Sequence, residues 1–469
     1  MSDFVVYRST AGKAVIAAAV LGSGMTLLDG TVVNVALKTI GRDLDASLAE
    51  LQWITNGYLL SLASLILLGG SLGDRYGRKR VFLVGVVWFA LASLLCGLAP
   101  TPFVLILARI LQGVGGALVT PGSLSMIQGA FGPDDRPTAI GAWSGLGGIA
   151  AAIGPFVGGF LIDYASWRWI FLINLPLAVA TVLVAMRWVP ETRDEETAGR
   201  FDVTGAGLAA LALAGTTYAL IQWGTSAAAA AALVGVVAAL AFVLVERRTP
   251  HPMVPLGLFS SRTFSAANVM TLLVYAALGA VSFFVVLQLQ TVSGYDALRA
   301  GVAMLPITIA MLFLAARGGR LAARIGPRLP MTIGPFVIAL GALVLLRVGP
   351  DANYWLDVFP GVTLVGLGLA VLVAPLTSTV LAAAPDHNAG IASGINNAVA
   401  RAGSLLAIAA LPVAVGLSGI DYDVPAVFDT AYARAMVICA VLLAAGGVLS
   451  WFTIRNPDLS SREHLSPRG

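Results

Sequence analysis

The feature that most constrains this chain is a succession of long apolar runs, separated by short charged or glycine-rich segments. A helix rises about 1.5 Å per residue, so roughly 20 apolar residues cross the hydrocarbon core of a bilayer. Runs of that length predict fourteen spans, which we number in chain order. The predicted spans are 13–36, 51–72, 80–99, 103–128, 137–162, 168–187, 203–223, 226–245, 264–290, 298–317, 329–348, 355–381, 389–417 and 432–454. The sequence therefore predicts an all-α membrane protein.

The composition is that of a chain whose surroundings are largely lipid. Of its 469 residues, 58% are hydrophobic and 11% are charged, whereas soluble domains carry roughly 25% charged residues. The net charge is only +4, and the basic residues form short clusters between apolar runs. That pattern orients membrane spans and does not favour a nucleic-acid partner. We therefore expect a multi-pass protein of the cell membrane, in contact with the lipid bilayer.

The distribution of cations predicts the orientation of the spans. Lys and Arg in short loops favour the cytoplasmic side. With the N-terminus inside, most of the 28 Lys and Arg residues lie in cytoplasmic loops or tails. Loss of one span would reverse every later loop and destroy this bias, so we expect both termini to be cytoplasmic. The first apolar run is long for a signal peptide, and we expect it to be retained as a span.

An internal repeat relates the two ends of the chain. The charged stretch 70–80 matches 319–328 in register, with Gly, Leu, Arg, Gly and a final cation recurring, while Asp74 has become Ala323. Both copies lie between the second and third span of a six-span block. Two such parallel blocks predict a transporter whose substrate binds between them at the midplane.

The repeat divides the chain into three parts. We expect an N-terminal six-helix bundle over 1–190, a linker with an inserted two-helix hairpin over 191–262, and a C-terminal six-helix bundle with a cytoplasmic tail over 263–469.

Five stretches carry a family resemblance. They are 28–37 in the first span, 70–79 in the following loop, 109–117 in the fourth span, 154–159 in the fifth span, and 167–176 after it. In this order they resemble the signature motifs of the major facilitator superfamily, and within it the fourteen-helix drug:proton antiporters. The resemblance covers nearly the whole chain.

This resemblance implies a major facilitator fold and a transporter, not an enzyme. The expected function is export of small amphipathic drugs or toxic compounds in exchange for protons, by alternating access, without a cofactor and as a monomer. Two alternatives within transport are export of a lipid or an endogenous metabolite, and proton-coupled uptake. A channel or a receptor that does not transport is a further alternative, which the repeat and the intramembrane charges disfavour.

Asp29 and Arg109 are the candidates for proton coupling. Each lies about 10 Å from the same face of the membrane, judged by position along its helix. A buried carboxylate is costly in a bilayer unless it is protonated or paired, so we expect Asp29 to pair with Arg109 when ionised and to release it when protonated. The alternatives are a fixed hydrogen bond of Asp29, or a static ion pair that only holds two helices together.

A second group of polar and aromatic residues could line a substrate cavity. It comprises Asn34, Trp53, Asn56, Tyr58, Gln112, Gln288, Asn396, Asn397 and Arg401. Taken singly, several of these are equally typical of packing or interfacial residues. Arg401 could bind an anionic group of the substrate or donate to backbone carbonyls. No acid lies deep in the seventh to fourteenth spans, so monovalent cations, neutral amphiphiles or anions fit better than dications.

Two motifs are candidates for moving parts. Gly70, Asp74, Arg75, Gly77, Arg78 and Lys79 form the predicted cytoplasmic gate motif. We expect Asp74 and its cations to form a latch between the two halves, with Arg75, Arg78 and the inner ends of the tenth and thirteenth spans as the candidate contacts of Asp74; simple orientation by the cations is the alternative. Gly154, Pro155, Gly158 and Gly159 form the antiporter motif, which suits either a hinge or close helix packing.

Other chemistry is weakly supported. His251, His387 and His464 lie in predicted loops or the tail with no second ligand nearby, so we expect no metal site. Cys96 and Cys439 both lie in apolar runs and are expected to be buried packing thiols. Because no nucleotide-binding motif is present, the driving force is expected to come from an ion gradient or from the substrate's own gradient.

Overall fold

The computed structural model describes residues 4–193, 202–250, 252–385 and 388–456, with the side chains of 148–152 left out. In these ranges the chain forms sixteen α-helices. They are α1 (Thr10–Leu44), α2 (Leu48–Tyr76), α3 (Arg78–Gly97), α4 (Pro102–Ala130), α5 (Arg136–Tyr164), α6 (Trp169–Leu172), α7 (Asn174–Trp188), α8 (Val203–Ile221), α9 (Ser226–Arg248), α10 (Arg262–Thr291), α11 (Ala297–Ala303), α12 (Leu305–Ile325), α13 (Arg328–Val344), α14 (Phe359–Ala382), α15 (Ala389–Ala414) and α16 (Pro425–Thr453).

Thirteen helical segments of the described chain are long and apolar enough to cross a membrane. They coincide with predicted spans, and the remaining predicted span falls in α5, which contains the residues without described side chains. Four segments are composite: α6 with α7, α11 with α12, α13 with a 3₁₀ turn, Leu345–Arg347, and a π-helical turn, Tyr354–Val358, with α14. Many large apolar side chains point outward, as expected of a surface that faces lipid. The chain is therefore a multi-pass membrane protein.

Several helices extend beyond the apolar runs that predicted them. The first predicted span ends at residue 36, whereas α1 continues to Leu44 through Lys38 and Arg42. Asp45 then adopts a left-handed conformation, φ 52°, and ends the helix. Ser47 and Glu50 form a capping box that starts α2 at once. The charged end of α1 thus stays helical, and its side chains contact other helices.

Two glycines end equivalent helices in the repeated stretches. Gly77 separates α2 from α3 with φ 109°, and Gly326 separates α12 from α13 with φ 85°. Residues with a Cβ rarely adopt these conformations, so glycine permits a one- or two-residue turn between long helices. We call the end of the bundle that carries the α1–α2 turn the Asp45 end, and the opposite end, which carries the α2–α3 turn, the Gly77 end.

Helix packing follows the same pattern in the first and last parts of the chain. In the first part α2 and α3 pack against α4, and α1 packs against α5 and α7. In the last part α12 and α13 pack against α14, and α10 packs against α15 and α16. The hairpin α8–α9 lies outside both groups, and α8 contacts α2 of the first group and α15 of the last.

The two helix groups share a core mainly toward one end. Buried apolar residues of α1–α7 near the Asp45 end, such as Ile40 and Leu51, belong to one cluster with residues of α10–α16. Those near the Gly77 end, such as Val15, Phe82 and Met126, form a separate cluster within α1–α7. The groups are therefore fused at the Asp45 end and have separate apolar cores at the Gly77 end.

Polar contacts between the groups also gather at the Asp45 end. Lys38 donates to the backbone oxygen of Gln290 at 2.5 Å, and Arg42 pairs with Asp423 at 3.1 Å. The Tyr422 hydroxyl donates to the backbone oxygen of Ala46 at 2.9 Å. Burial raises the pKa of Tyr422, which keeps this hydroxyl a donor. These bonds close the Asp45 end.

Candidate functional site

A buried ion pair joins α1 to α4. The guanidinium of Arg109 lies 2.5 Å from the carboxylate of Asp29, and neither side chain is more than 1% exposed. Removing two charges from water is expensive, and a buried pair is tolerated only when further hydrogen bonds satisfy both groups. The surroundings of this pair supply such bonds.

Gln112 completes the ion pair from the next turn of α4. Its amide nitrogen donates to Asp29 at 2.8 Å, and its amide oxygen accepts from Arg109 at 2.5 Å. The same nitrogen donates to Ser93 of α3 at 2.8 Å, and Ser93 also accepts from Asn174 of α7 at 3.3 Å. One polar network therefore links four helices of the first group.

Arg109 is held by three further contacts. Its Nε donates to the backbone oxygen of Ile54 on α2 at 3.1 Å. The guanidinium carbon lies 4.5 Å from the ring centroid of Tyr58 and 5.7 Å from that of Phe171. Aromatic faces stabilise a desolvated guanidinium through cation–π attraction. The cation is thus fixed on one side by a carboxylate and on others by aromatic rings.

Small residues on α4 bring the helices that build this network close together. A Cβ at Gly113 would clash with the backbone oxygen of Tyr58 on α2. A Cβ at Gly115 would lie 2.7 Å from the backbone nitrogen of Phe89 on α3. Glycines in this stretch therefore let the backbones of α2 and α3 approach α4 on two sides, as is common between membrane helices.

A cavity of about 140 Å³ lies in the second helix group, between α10, α14 and α15. Its lining residues are Tyr275, Thr377, Val380, Leu381, Ser393, Asn396, Asn397, Ala400 and Arg401. Asn396 is fixed to α10, because its amide nitrogen donates to Thr271 at 2.7 Å and to Asn268 at 3.2 Å. Asn397 is exposed and donates to the backbone oxygen of Ser393 at 3.1 Å. Three of the predicted cavity residues therefore line one cavity.

Arg401 has neither an ion pair nor a hydrogen bond to any described residue. It is half-buried, in the middle of α15. Its charge acts electrostatically on Tyr275 beside it and on Tyr58 of the first group, the ring that lies under Arg109. The alternative role of Arg401, donation to backbone carbonyls, is not seen among its described contacts.

Other predicted cavity residues lie elsewhere. The Trp53 ring packs against Tyr218 of α8, with centroids 6.2 Å apart. Gln288 is fully buried and donates to Asp429 at 2.5 Å and to the backbone oxygen of Val348 at 2.8 Å, within the second group. Neither lines the cavity beside Arg401. Depth along a helix does not specify which face a residue occupies, so their place in a substrate cavity stays a prediction.

Two predicted cavity residues carry unpaired polar atoms. Asn56 on α2 is fully buried, and neither its amide oxygen nor its nitrogen has a partner among the described residues. Asn34 on α1 also has an unpaired, buried oxygen. Buried polar groups normally find partners in protein or ordered water. Both asparagines thus supply polar positions within the first group.

Asp74 and Lys79 of the predicted gate motif bond to the first helix group and to the start of the linker that follows it. Asp74 pairs with Arg78 at 2.8 Å, one turn further along the chain. Two backbone nitrogens in the first turn of α3, those of Lys79 and Arg80, donate to Glu191 at 3.0 and 3.2 Å. Lys79 also donates to the backbone oxygen of Val189 at 2.8 Å. The expected contact of Asp74 with the second group is not made in this conformation.

The antiporter motif lies on α5 and contacts α1 and α11. Cβ atoms at Gly154 and Gly158 would press on Thr31 and Val32 of α1, at 2.7 Å for Thr31. A Cβ at Gly159 would lie 2.5 Å from Cα of Leu298 on α11, and the backbone of Pro155 is in close contact with Gly301. One face of α5 therefore packs on α1 next to Asp29, and another packs on the second group.

Sequence reasoning missed most of the contacts that close the Asp45 end. Asp163, at the end of α5, accepts from the backbone nitrogens of Ala297 and Leu298 at 3.2 and 2.7 Å. Lys38 was likewise not singled out. A charged residue at a helix end is common, so nothing in the sequence marked these side chains as partners across the two groups. His251, His387 and His464 lie outside the described residues, while Cys96 and Cys439 are both buried and free.

Comparison with known proteins gives a consistent result. A family model described as Major Facilitator Superfamily matches residues 19–408. The chain is 35% identical to the tetracenomycin C resistance and export protein of Streptomyces glaucescens, over 84% of this chain and 74% of that one. It is also 35% identical to the methylenomycin A resistance protein of Streptomyces coelicolor, over 95% and 93% of the two chains.

Solved structures show the same fold at low identity. A bacterial homologue of the human lysosomal transporter Spinster, in an inward-facing and unoccupied conformation, superposes with a TM-score of 0.65 at 17% identity. The match covers 95% of this chain and 97% of that one.

Proposed function

The chain belongs to the Major Facilitator Superfamily, and we propose that it exports small amphipathic drugs or toxic compounds across the cell membrane in exchange for protons. Relatives named for resistance to or export of antibiotics support the substrate class and the direction. The observation that carries proton exchange is the ion pair of Asp29 with Arg109, sealed from water inside the first helix group.

We further propose the finer architecture that the sequence predicted. In it, fourteen helices span the membrane, with α5 as the fifth and both termini in the cytoplasm. Residues 1–190 and 263–469 form two halves, and 191–262 carry the inserted hairpin. The Gly77 end is then cytoplasmic, so the described conformation is closed to the outside. The short turns at Gly77 and Gly326 support equivalent positions of the two halves.

Protonation of Asp29 is the chemical step of this proposal. A neutral carboxyl no longer balances the Arg109 charge, which would then be left buried without a counter-ion. Gln112 bonds to both groups and would have to rearrange with them. The free energy of the pair therefore changes by several kcal/mol on proton binding, enough to favour a different packing of α1 against α4.

The antiporter motif offers a route from Asp29 to the outer closure. Thr31 and Val32 follow Asp29 on α1 and press on Gly154 and Gly158 of α5. The opposite contacts of α5, through Pro155, Gly159 and Asp163, hold α11 of the second half. A shift of α1 would therefore be passed through α5 to the contact that closes the Asp45 end.

Asp74 is proposed as a latch that works only in the opposite conformation. Here Asp74 pairs with Arg78 of its own half. Closure of the Gly77 end would bring the second half to this carboxylate and stabilise the outward-open state. Asp74→Asn should then shift the population toward the inward-open state and slow transport, while unchanged rates and populations would favour simple orientation by the cations.

The test of the main proposal uses transport and drug sensitivity together. Expression of the wild type in an efflux-deficient host should raise resistance to a panel of amphipathic drugs, and Asp29→Asn should remove that resistance. In proteoliposomes, an imposed proton gradient should drive drug movement in the wild type and not in Asp29→Asn. Undiminished coupling in the variant would overturn the role of Asp29.

The direction of movement separates export from uptake. Inverted membrane vesicles, acidified inside, should accumulate the drug if the protein is an exporter. Accumulation only in right-side-out vesicles would indicate uptake, and flux without saturation would indicate a channel. Export of a lipid is tested in the same vesicles with a fluorescent phospholipid in place of the drug.

A further inference from the structure

Arg401 is a cation at membrane depth that has no counter-ion among the described residues. It lies in the middle of α15, half-buried, and lines the cavity between α10, α14 and α15. No described carboxylate pairs with it. Charged residues inside a membrane are costly and normally pair with another charge or serve a pathway for ions or substrates.

The charges nearby do not offer Arg401 a partner. In the described residues that line the cavity, every polar group other than Arg401 is neutral. Asp29 is engaged by Arg109 and Gln112 in the first half. The open cavity therefore carries a net positive charge that a bound molecule could balance.

Most of the cavity lining is polar, and a smaller part of it is apolar. Val380, Leu381 and Ala400 form its apolar wall, and Tyr275 lies beside Arg401. A guanidinium presents several N–H donors in a planar fork, which suits a carboxylate or a sulfonate. Charge and apolar wall thus lie within one cavity of about 140 Å³.

We propose that Arg401 binds the anionic group of an amphipathic organic anion, and that this class of molecule is the transported substrate. The proposal rests on the proposed export function and specifies its substrate. A negative-inside membrane potential would favour outward movement of such an anion, so transport should respond to voltage as well as to pH.

The Tyr58 ring connects the two charged regions. It lies 4.5 Å from the guanidinium carbon of Arg109 and is also within electrostatic range of Arg401. An anion on Arg401 would therefore lie within electrostatic range of the same ring that contacts the proposed proton site. This arrangement places substrate charge and proton charge close enough to influence each other through a medium of low dielectric constant.

The test compares two probes that share one aromatic scaffold. 8-Anilinonaphthalene-1-sulfonate is an amphipathic anion, and N-phenyl-1-naphthylamine is the same scaffold without the sulfonate. Binding to the purified full-length protein in nanodiscs is measured by energy transfer from tryptophan, with protein-free nanodiscs as the background. Charge-assisted hydrogen bonds of this kind predict that Arg401→Gln weakens binding of the anion about tenfold or more. Binding of the neutral probe should change less than about twofold.

Two variants keep the result interpretable. Arg401→Lys retains the charge and should recover part of the affinity for the anion. Arg299→Gln removes an exposed cation at the Asp45 end and should leave both probes unchanged. The proposal would be overturned if the wild type bound the anion no more tightly than the neutral probe. It would also be overturned if Arg401→Gln weakened binding of both probes equally, or weakened binding of neither.

Transport measurements separate this inference from the function on which it rests. A proton gradient could drive transport of both probes in the wild type, while Arg401→Gln changes transport of both probes to the same extent. In that case the proposed export is supported and the proposed preference for anions is wrong. Arg401→Gln could instead weaken binding of the anion alone, while a proton gradient drives transport of neither probe. In that case the proposed binding site is supported and the proposed export is wrong.

Discussion

The Gln290 side chain donates a 2.8 Å hydrogen bond to the backbone oxygen of Val35 and so joins α10 to α1. The backbone oxygen of the same Gln290 accepts from Lys38, one turn further along α1. Residue 290 is thus bonded twice across the two helix groups, at the end where their apolar cores are continuous. Both bonds hold the Asp45 end closed in the described conformation.

We expect Gln290→Ala to open the Asp45 end in part of the population. The substitution removes one bond across the groups and leaves the Val35 oxygen without that partner. Spin labels at two exposed loop positions, Pro100→Cys and Ile420→Cys, would report the distance between the two helix groups by pulsed electron paramagnetic resonance. Both native cysteines are buried and should not be labelled. The population with a longer distance should rise in Gln290→Ala.

Gln288→Ala is the matched control for that experiment. Gln288 lies two residues away on the same helix and bonds to Asp429 and Val348 within its own group. Its loss should lower thermal stability without changing the distance between the labels. Equal distance changes in the two variants would show that Gln290 acts through general stability.

Removing Arg109 should destabilise the protein in a pH-dependent way. Arg109→Leu leaves Asp29 buried without its cation, and breaking such a pair costs about 3–5 kcal/mol. Protonation of the carboxylate removes the uncompensated charge, so the loss should be smaller at pH 5 than at pH 8. Unfolding in detergent by a chemical denaturant measures both values.

The control for the Arg109 experiment keeps the ion pair and removes its bridge. Gln112→Leu loses hydrogen bonds to Asp29, Arg109 and Ser93, which is expected to cost about 1–3 kcal/mol. This loss should depend little on pH, because no unpaired charge remains. A pH-independent loss in Arg109→Leu as well would contradict the account of the pair.

Glu246 and Asp202 meet at the Gly77 end of the inserted hairpin. One carboxylate oxygen of Glu246 accepts from the backbone nitrogen of Val254, and one of Asp202 accepts from that of Gly205. The other oxygen of each carboxylate is buried and has no partner among the described residues. A Cβ at Gly205 would lie 2.6 Å from Asp202 and 2.8 Å from Glu246, so the two unpaired oxygens face the same point. Two ionised carboxylates in this position would repel each other.

We therefore expect Glu246→Gln to stabilise the protein, and more so as pH rises. The amide can still accept from Val254 and removes one of the two negative charges. We expect the free energy of unfolding to rise by about 1 kcal/mol at pH 8 and by less at pH 5. Melting curves at both pH values measure it, and a loss of stability at pH 8 would show that the carboxylates do not repel.

How far the sequence predicts this molecule differs between the fold and the site. Apolar length predicts the spans because helices in lipid must satisfy their own backbone groups. Depth along those helices anticipated Asp29 and Arg109 as a possible pair, since both lie equally far from one face. Rotation about the helix axis is not given by apolar length, so the sequence did not show that Trp53 packs on α8 or that Gln288 bonds within its own group.

Contacts between distant segments were the least predictable part. Lys38 with Gln290 joins helices that are far apart in the chain, and only the packed structure shows their register. Gly154, Pro155, Gly158 and Gly159 were singled out by pattern, yet hinge and packing could not be separated. The structure places the motif against both α1 and α11, which makes its small residues necessary for contact on two sides.

Gly159 offers a direct test of that contact. A Cβ here would lie 2.5 Å from Cα of Leu298, a backbone atom that can move away only if α11 shifts. We expect Gly159→Val to hold the Asp45 end apart, to lengthen the distance between labels at positions 100 and 420, and to lower transport tenfold or more. Gly145→Ala, on the same helix with open space around it, should leave both measurements unchanged. Normal transport by Gly159→Val would mean that α5 and α11 need not meet for the cycle to proceed.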